Sequence, residues 1–284
     1  MSTIASINRS AWIRPRTLRY FESFQGWTDQ GEAAAVAAVT ERIRGKRLLD
    51  IGVGAGRTVP IMRSISNDYH AVDFLAPMVD ICQRRFPNVS VQQGDARNMT
   101  MFDDMSFDFA MFSFNGLDAV GDDDRALVLR EVRRVLTPGG IFLFSTLNDD
   151  GPSRNDRPWR MHLRLSDLRH PRQLARRIGG LPLDVRNHLR HRNSELIGDG
   201  WALRNINAHH FALVAHFTSL SHQINELEQA GFEVETVFEN HAGDVIHAGD
   251  DTSKVWWFHI IATTKAEQLP RGGPFDEFGT VTVR

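Results

Sequence analysis

The run Leu48-Leu49-Asp50-Ile51-Gly52-Val53-Gly54-Ala55-Gly56-Arg57-Thr58 constrains this chain more than any other stretch. An apolar segment ending on an acid reads as a buried strand. Three alternating glycines read as a turn whose backbone approaches something closely, because glycine accepts conformations closed to other residues. A helix start follows, with unpaired N–H groups to offer a ligand. Strand, glycine turn and helix together open a βα unit. Open α/β sheets bind ligands at the carboxyl ends of their strands.

The rest of the chain repeats this alternation. Asp29 and Glu32 have capping-box spacing for an alanine-rich helix running to Ile43. Strands are expected at Arg47–Ile51, Tyr69–Asp73, Val89–Gln92, Phe107–Phe114 and Ile141–Ser145, with helices at Thr58–Ser64 and Ala76–Arg85. The acidic run Asp122-Asp123-Asp124 suits the positive end of a helix dipole. The helix it opens carries Val128, Val132, Val135 and Leu136 on one face. Successive βα units imply a parallel sheet with helices on both faces. A further helix with Leu220, Ile224 and Leu227 and two strands, Phe232–Phe238 and Val255–Thr263, complete the pattern.

Four parts of a single domain follow. Residues 1–28 lack clean periodicity but hold Trp12, Tyr20, Phe21, Phe24 and Trp27, so they read as a cap packed on the domain. Residues 29–149 and 213–264 form the α/β core. Residues 150–212 break the rhythm and read as a helical insertion or lid on the substrate side. It has eleven arginines between Arg154 and Arg192 against the acids Asp156, Asp167 and Asp184, and an apolar side in Trp159, Met161, Leu163 and Leu165. Residues 265–284 read as a loose tail.

Composition narrows the function. The net charge of −2 argues against a general polyanion binder, and so against a nucleic-acid partner. The single cysteine, Cys82, fits a reducing compartment. No apolar run reaches 18 residues and no apolar leader is present, so a cytoplasmic chain with no membrane partner is expected. The histidines and acids show no metal-ligand spacing, and no metal is expected.

The spacing Gly-x-Gly-x-Gly departs from the Gly-x-Gly-x-x-Gly that holds a pyrophosphate. Asp50 would repel a pyrophosphate but suits a turn facing an ammonium and a sulfonium, which points to S-adenosylmethionine. Asp73 ends the second strand 23 residues after Asp50, where a carboxylate can accept both ribose hydroxyls of a nucleoside. Asp95 and Ala96 follow the third strand, within reach of an adenine. The fourth strand closes on Phe112-Ser113-Phe114-Asn115-Gly116.

LLDIGVGAGRT, AVDFLAPMV, GDARNM, FDFAMFSFNG and EVRRVLTPGGIFLFST together resemble the class I S-adenosylmethionine-dependent methyltransferases. The likeness covers residues 47–147 and resumes at 219–264. It implies a Rossmann-like three-layer αβα sandwich whose seven-stranded sheet is mostly parallel with an antiparallel last strand. It implies S-adenosyl-L-methionine as cofactor and S-adenosyl-L-homocysteine as product. It assigns Gly52, Gly54 and Gly56 to the methionine and ribose side, and Asp50 to the region of the ammonium. Asp73 falls to the ribose, Asp95 and Ala96 to the adenine, Phe74 and Met78 to its flanks, and Phe112 through Asn115 to the methionine moiety.

Methyl transfer from a sulfonium needs alignment above all, and a hydroxyl acceptor benefits from a general base. The candidate bases are Asp118, after the fourth strand, and His209 and His210, just before the resumed core. A small-molecule acceptor fits best, with O- or N-methylation open and an anionic, sugar or natural-product metabolite suggested by the arginines. Those arginines would equally serve a solvated face or a homodimer contact. RNA or protein methylation, and a non-catalytic cofactor-binding protein, are the alternatives.

Overall fold

A computed structural model describes residues 3–160 and 171–265. Met161, Leu163 and Leu165 of the expected insertion, and the expected tail beyond 265, lie outside the described residues. The chain opens with α1 (Thr3–Trp12), α2 (Pro15–Ser23) and α3 (Gln30–Ile43). Strand β1 (Leu48–Ile51) leads through the glycine turn to α4 (Val59–Ile65), and β2 (Tyr69–Asp73) leads to α5 (Ala76–Arg85). Then come β3 (Ser90–Gln93), β4 (Phe107–Phe112), α6 (Asp122–Val135) and β5 (Leu136–Asn148). The segment after β5 holds α7 (Pro171–His191), β6 (Leu196–Ile197), β7 (Trp201–Ile206) and β8 (Leu213–Thr218). The chain returns through α8 (Leu220–Gln229) to β9 (Phe232–Glu239) and β10 (Trp257–Thr264).

The strands lie in the order β3-β2-β1-β4-β5, continued by β10 and β9. β10 runs antiparallel to both its neighbours, and the first five strands are parallel. The order reverses at β1 and β4, which makes their carboxyl ends the switch point where α/β sheets bind ligands. Period-two alternation sorts each strand between two cores. Leu49, Ile51, Phe142 and Phe144 face α6 and α8, packing on Val128, Leu129, Val132 and Leu227. Leu48, Ile141 and Leu143 face the other way, onto Val36, Val39 and Ile43 of α3 and Met62 of α4. Asp29 caps α3 by accepting the Glu32 N–H at 2.9 Å, and its second oxygen takes the indole N–H of Trp257, joining α3 to β10.

The sheet is larger than the seven strands expected. β8 pairs in parallel with β5 at Leu147 and Asn148, and β7 and β6 follow it antiparallel. β4 stops at its pairing with Phe144, and β10 holds the other side of β5. β8 therefore takes the place beside β5 that β4 vacates, beyond the carboxyl end of β4. The insertion is thus a helix followed by an antiparallel ribbon, and not helical throughout. Two features hid the strands. β8 is buried at every residue and so shows no alternation. β7 carries Arg204 and Asn205, which are buried through partners: Arg204 bonds the Asp149 carboxylate at 2.7 Å, and Asn205 bonds the carbonyls of Phe211 and Leu213.

Residues 3–23 hold two helices. α1 buries Ile4, Ala5, Asn8 and Ala11, a helical face with a polar residue in its middle. The Asn8 side chain donates to the carbonyls of Ala119 and Val214 and accepts the Val214 N–H, clasping the free edge of β8. Pro15 sits in the first turn of α2, where its missing N–H costs nothing. Trp12, Leu18 and Phe21 then pack on Leu75 and Met78, at the start of α5. Among the described residues, no helix is long and apolar enough to cross a membrane.

Candidate active site

The three glycines of the turn all have left-handed φ values, +69°, +56° and +85°. Their surroundings differ. A Cβ on Gly52 would lie 2.7 Å from the Phe112 ring, and one on Gly56 would strike Phe86 and Cys82. A Cβ on Gly54 would meet no described atom within 4 Å. Gly52 and Gly56 are thus close-packing positions, and Gly54 leaves an open backbone face.

Asp73, at the end of β2, reads that backbone directly. One of its oxygens accepts the Gly54 N–H at 2.8 Å and the other the Leu75 N–H at 2.8 Å. It is 7% exposed. Burial pushes its carboxyl up to about 6, against the pull of the two N–H groups. Each oxygen keeps a lone pair for a further donor.

Asp50 sits lower. It is 2% exposed, and one oxygen accepts both the Thr58 hydroxyl and, at 2.7 Å, the Tyr69 hydroxyl. Burial pushes it up to about 6, against the pull of those hydroxyls. These bonds brace the glycine turn from beneath, joining β1, the start of α4 and β2.

On the expected adenine side, Arg97 forks onto Asp95 at 2.6 Å and reaches Asp124 of α6 at 2.9 Å. Burial raises the Asp95 carboxyl, but Arg97 outweighs it and holds the group below its ordinary range. Ala96 is half-buried on the core. Met78 is buried and Phe74 half-buried under the N-terminal helices, and the Arg9 guanidinium lies over the Phe74 ring.

The end of β4 holds an unsatisfied group. Phe114 and Asn115 turn left-handed, with φ +56° and +57°. The Asn115 N–H donates to the Ser145 hydroxyl at 2.7 Å, yet its side-chain oxygen is buried with no hydrogen-bond partner among the described residues. A buried acceptor left unmade costs about 1–3 kcal/mol, and it calls for a donor. The ammonium of an S-adenosylmethionine would be one.

Sequence reasoning missed the tie that joins these loops. The buried Glu32 carboxylate holds Arg57 in a fork at 2.7 Å through both oxygens, accepts the Ser113 hydroxyl, and takes the Thr28 N–H at 2.6 Å. Burial raises Glu32, but Arg57 and the hydroxyls keep it below the ordinary glutamate range. The capping-box spacing of Asp29 and Glu32 pointed to Glu32, but for the helix end alone. The pair with Arg57 spans 25 residues and has no local pattern.

The three expected bases part company. Asp118 is a correction. It is buried, accepts Arg125 at 2.9 Å, the Thr146 hydroxyl at 2.7 Å and the Leu147 N–H at 2.7 Å, and presents no carboxylate to the pocket. It fills the step where β5 passes from β4 to β8. His210 bonds Asp184 of α7 at 2.7 Å and acts as a tie. His209 packs on Tyr20 and Phe21 at 6.0 and 5.9 Å, and among the described residues no hydrogen bond holds its ring nitrogens. Burial, with Arg14, His210 and Arg16 nearby, pushes it below its ordinary value, so it is neutral and able to take a proton at pH 7.

Residues 48–140 match a family model described as a methyltransferase domain. The malonyl-[acyl-carrier protein] O-methyltransferase of Erwinia billingiae is 32% identical over 124 residues, 44% of this chain and 48% of that protein. The demethylmenaquinone methyltransferase of Renibacterium salmoninarum is 36% identical over 114 residues, 39% of this chain and 46% of that protein. The chain thus spans about half the length of the curated relatives it matches. Among solved structures, the 1,6-didemethyltoxoflavin-N1-methyltransferase of Burkholderia thailandensis, with 1,6-didemethyltoxoflavin and S-adenosylhomocysteine bound, aligns at TM-score 0.56. The alignment is 13% identical and covers 93% of this chain and 92% of that one. A methyltransferase from Thermotoga maritima aligns at 0.52 with 19% identity, over 92% and 99%. These likenesses give the fold: a Rossmann-like α/β methyltransferase fold with a mixed sheet.

Proposed function

We propose that this chain, whose residues 48–140 match a methyltransferase domain, is a class I S-adenosylmethionine-dependent methyltransferase that binds that cofactor at the carboxyl ends of β1, β2 and β4 and methylates a small-molecule acceptor. The observation that carries the reading is the buried Asn115 oxygen, without a partner among the described residues, at the same carboxyl end of the parallel strands as the open backbone of Gly54 and the lone pairs of Asp73. Ammonium, methionine chain and ribose each find a matching group there. When bound, S-adenosylmethionine supplies a methyl group on a sulfonium whose leaving group is a neutral thioether.

The chain's own residues do the rest. Gly54 lets the backbone approach, Asp73 accepts the ribose hydroxyls, and Asn115 accepts the ammonium. Met78 and Phe74 flank the adenine, and Ala96 lies at its edge. Asp95 would take the adenine amino group only by sharing oxygens that each already accept two Arg97 N–H contacts. α1 and α2 cover this side and exclude water. His209 accepts the acceptor's proton. Alignment supplies most of the acceleration, and a general base adds about 10²–10⁴-fold.

By their names, two of the proteins above act on a demethylmenaquinone and a didemethyltoxoflavin, which supports a small acceptor, and the third acts on a malonyl group carried by acyl-carrier protein. The test is transfer of labelled methyl from the cofactor to a fractionated metabolite pool. Label is expected in a small-molecule fraction. Label found in protein or RNA alone would overturn the acceptor class, and no label in any fraction would overturn the enzyme.

A further inference from the structure

Four aromatic rings and an imidazole converge beyond the end of β4. Phe21 and Phe24 stand 6.4 and 5.6 Å from Phe114, and Tyr20 stands 6.0 Å from His209. Tyr20 and Phe114 remain 48% and 38% exposed, unusual for such large rings in a cluster. Both loops that deliver the group are held in the left-handed region: Phe114 and Asn115 on one side, His209, His210 and Phe211 on the other. For residues with a Cβ this conformation is disfavoured, and it persists only where the surroundings impose it.

Here they do. Asn205 bonds the carbonyls of Phe211 and Leu213, Asn187 bonds that of His210, and Asp184 holds the His210 ring. The constrained turn lays the half-buried His209 ring against the aromatic group. The charge around that group is positive. The Arg57 guanidinium lies 5.6 and 5.9 Å from the Phe24 and Phe114 rings, and Arg14 and Arg16 act on His209. A cationic acceptor, which aromatic cages otherwise favour, would meet these charges. A flat ring with an acidic group would stack on the faces and turn its negative edge toward Arg14 and Arg16, because Arg57 is already forked by Glu32.

We propose that the acceptor is a planar aromatic compound with an acidic hydroxyl, laid on the exposed side of the Tyr20, Phe21, Phe24 and Phe114 cluster with that hydroxyl turned toward His209. This rests on the methyl-transfer reading above. The acceptor oxygen forms a bond to the methyl carbon as the sulfonium–methyl bond breaks, its electron pair staying on sulfur. The hydroxyl proton passes to a ring nitrogen of His209 and then to solvent.

The test is calorimetry on the full chain loaded with S-adenosylhomocysteine. The probes are 3-hydroxy-2-naphthoate, the saturated decahydro-2-naphthoate of equal charge, and 2-naphthyl-trimethylammonium. The aromatic anion is expected to bind at least about tenfold tighter than either other probe. In Phe24→Leu and Phe114→Leu the preference over the saturated anion is expected to fall to about threefold or less. Being a ratio within one protein, it is not moved by partial misfolding. Equal affinity for the two anions, a preference for the cation, or an unchanged ratio in both variants would overturn the inference alone. Failure of the wild type to bind S-adenosylhomocysteine would instead remove the reading beneath it, and the inference with it.

Discussion

Asp73 holds the glycine turn through two N–H groups and has lone pairs left for two ribose hydroxyls. Only the ionised carboxylate offers all of these. With its carboxyl raised by burial to about 6, the free protein takes up a proton as the pH falls below that value, and the protonated form binds the cofactor poorly. The cofactor Kd should therefore be flat above pH 7 and rise about tenfold by pH 5. An Asp73→Asn variant should bind weakly with no such rise, and a wild-type Kd flat to pH 5 would contradict the role. His209 is the residue through which chemistry is expected to pass. His209→Gln should lower kcat about 100-fold or more, remove the acidic limb of its pH profile and leave the cofactor Kd within about threefold. A kcat within threefold of wild type would exclude it as base. Both residues were visible in the sequence, but for unequal reasons. Asp73 ends a strand at a fixed distance from a glycine turn. His209 and His210 were indistinguishable, and the Asp184 partner that separates them lies on another helix.

Elements around the site are joined by buried polar ties that leave no local pattern. Arg125 of α6 is 0% exposed and bonds Asp118 at 2.9 Å, Glu226 of α8 at 3.0 Å and Gln223 at 2.7 Å. Arg125→Leu would strand two carboxylates, one of them buried, and should cost about 3–5 kcal/mol of unfolding free energy. A loss below about 1 kcal/mol in denaturant melts would show the network to be dispensable. Asn8 makes three bonds to β8 and the turn at Ala119. The strands β1 to β5, the helices α4 to α6 and the antiparallel β10 were legible because each is an apolar run or an amphipathic face bounded by turn residues. The cap helices and the ribbon β6–β8 were not. Their buried faces contain Asn8, Arg204 and Asn205, polar residues whose burial is made acceptable by partners distant in sequence.

On the scale of the molecule, folding stability should carry the mark of one histidine. His216 on β8 is 0% exposed and stacked on Trp201. Burial, with Arg125 nearby, lowers it to about 4, although Asp122 pulls the other way. Its folded value lies below its unfolded one, so the unfolded chain binds the extra proton between about pH 6.5 and 4. The stability it contributes is complete above 6.5 and is lost as the pH falls toward 4. Asp50 and Asp73, raised to about 6, act in the opposite sense over the same range. The histidine is therefore read by difference. The free-energy gap between wild type and His216→Gln should shrink by up to about 3 kcal/mol from pH 7 to 4. A gap that stays constant would mean the ring takes up its proton in the fold as it does in the unfolded chain.

The fold brings the open backbone of Gly54, the Asp73 carboxylate and the Asn115 oxygen, without a partner among the described residues, to the carboxyl ends of neighbouring strands. A calorimetric titration of the purified chain with S-adenosylhomocysteine tests that convergence directly. One saturable site per chain is expected, weakened at least about tenfold by Asp73→Ala through the loss of charge-assisted hydrogen bonds. No saturable binding by the wild type, or an unchanged constant in Asp73→Ala, would contradict it.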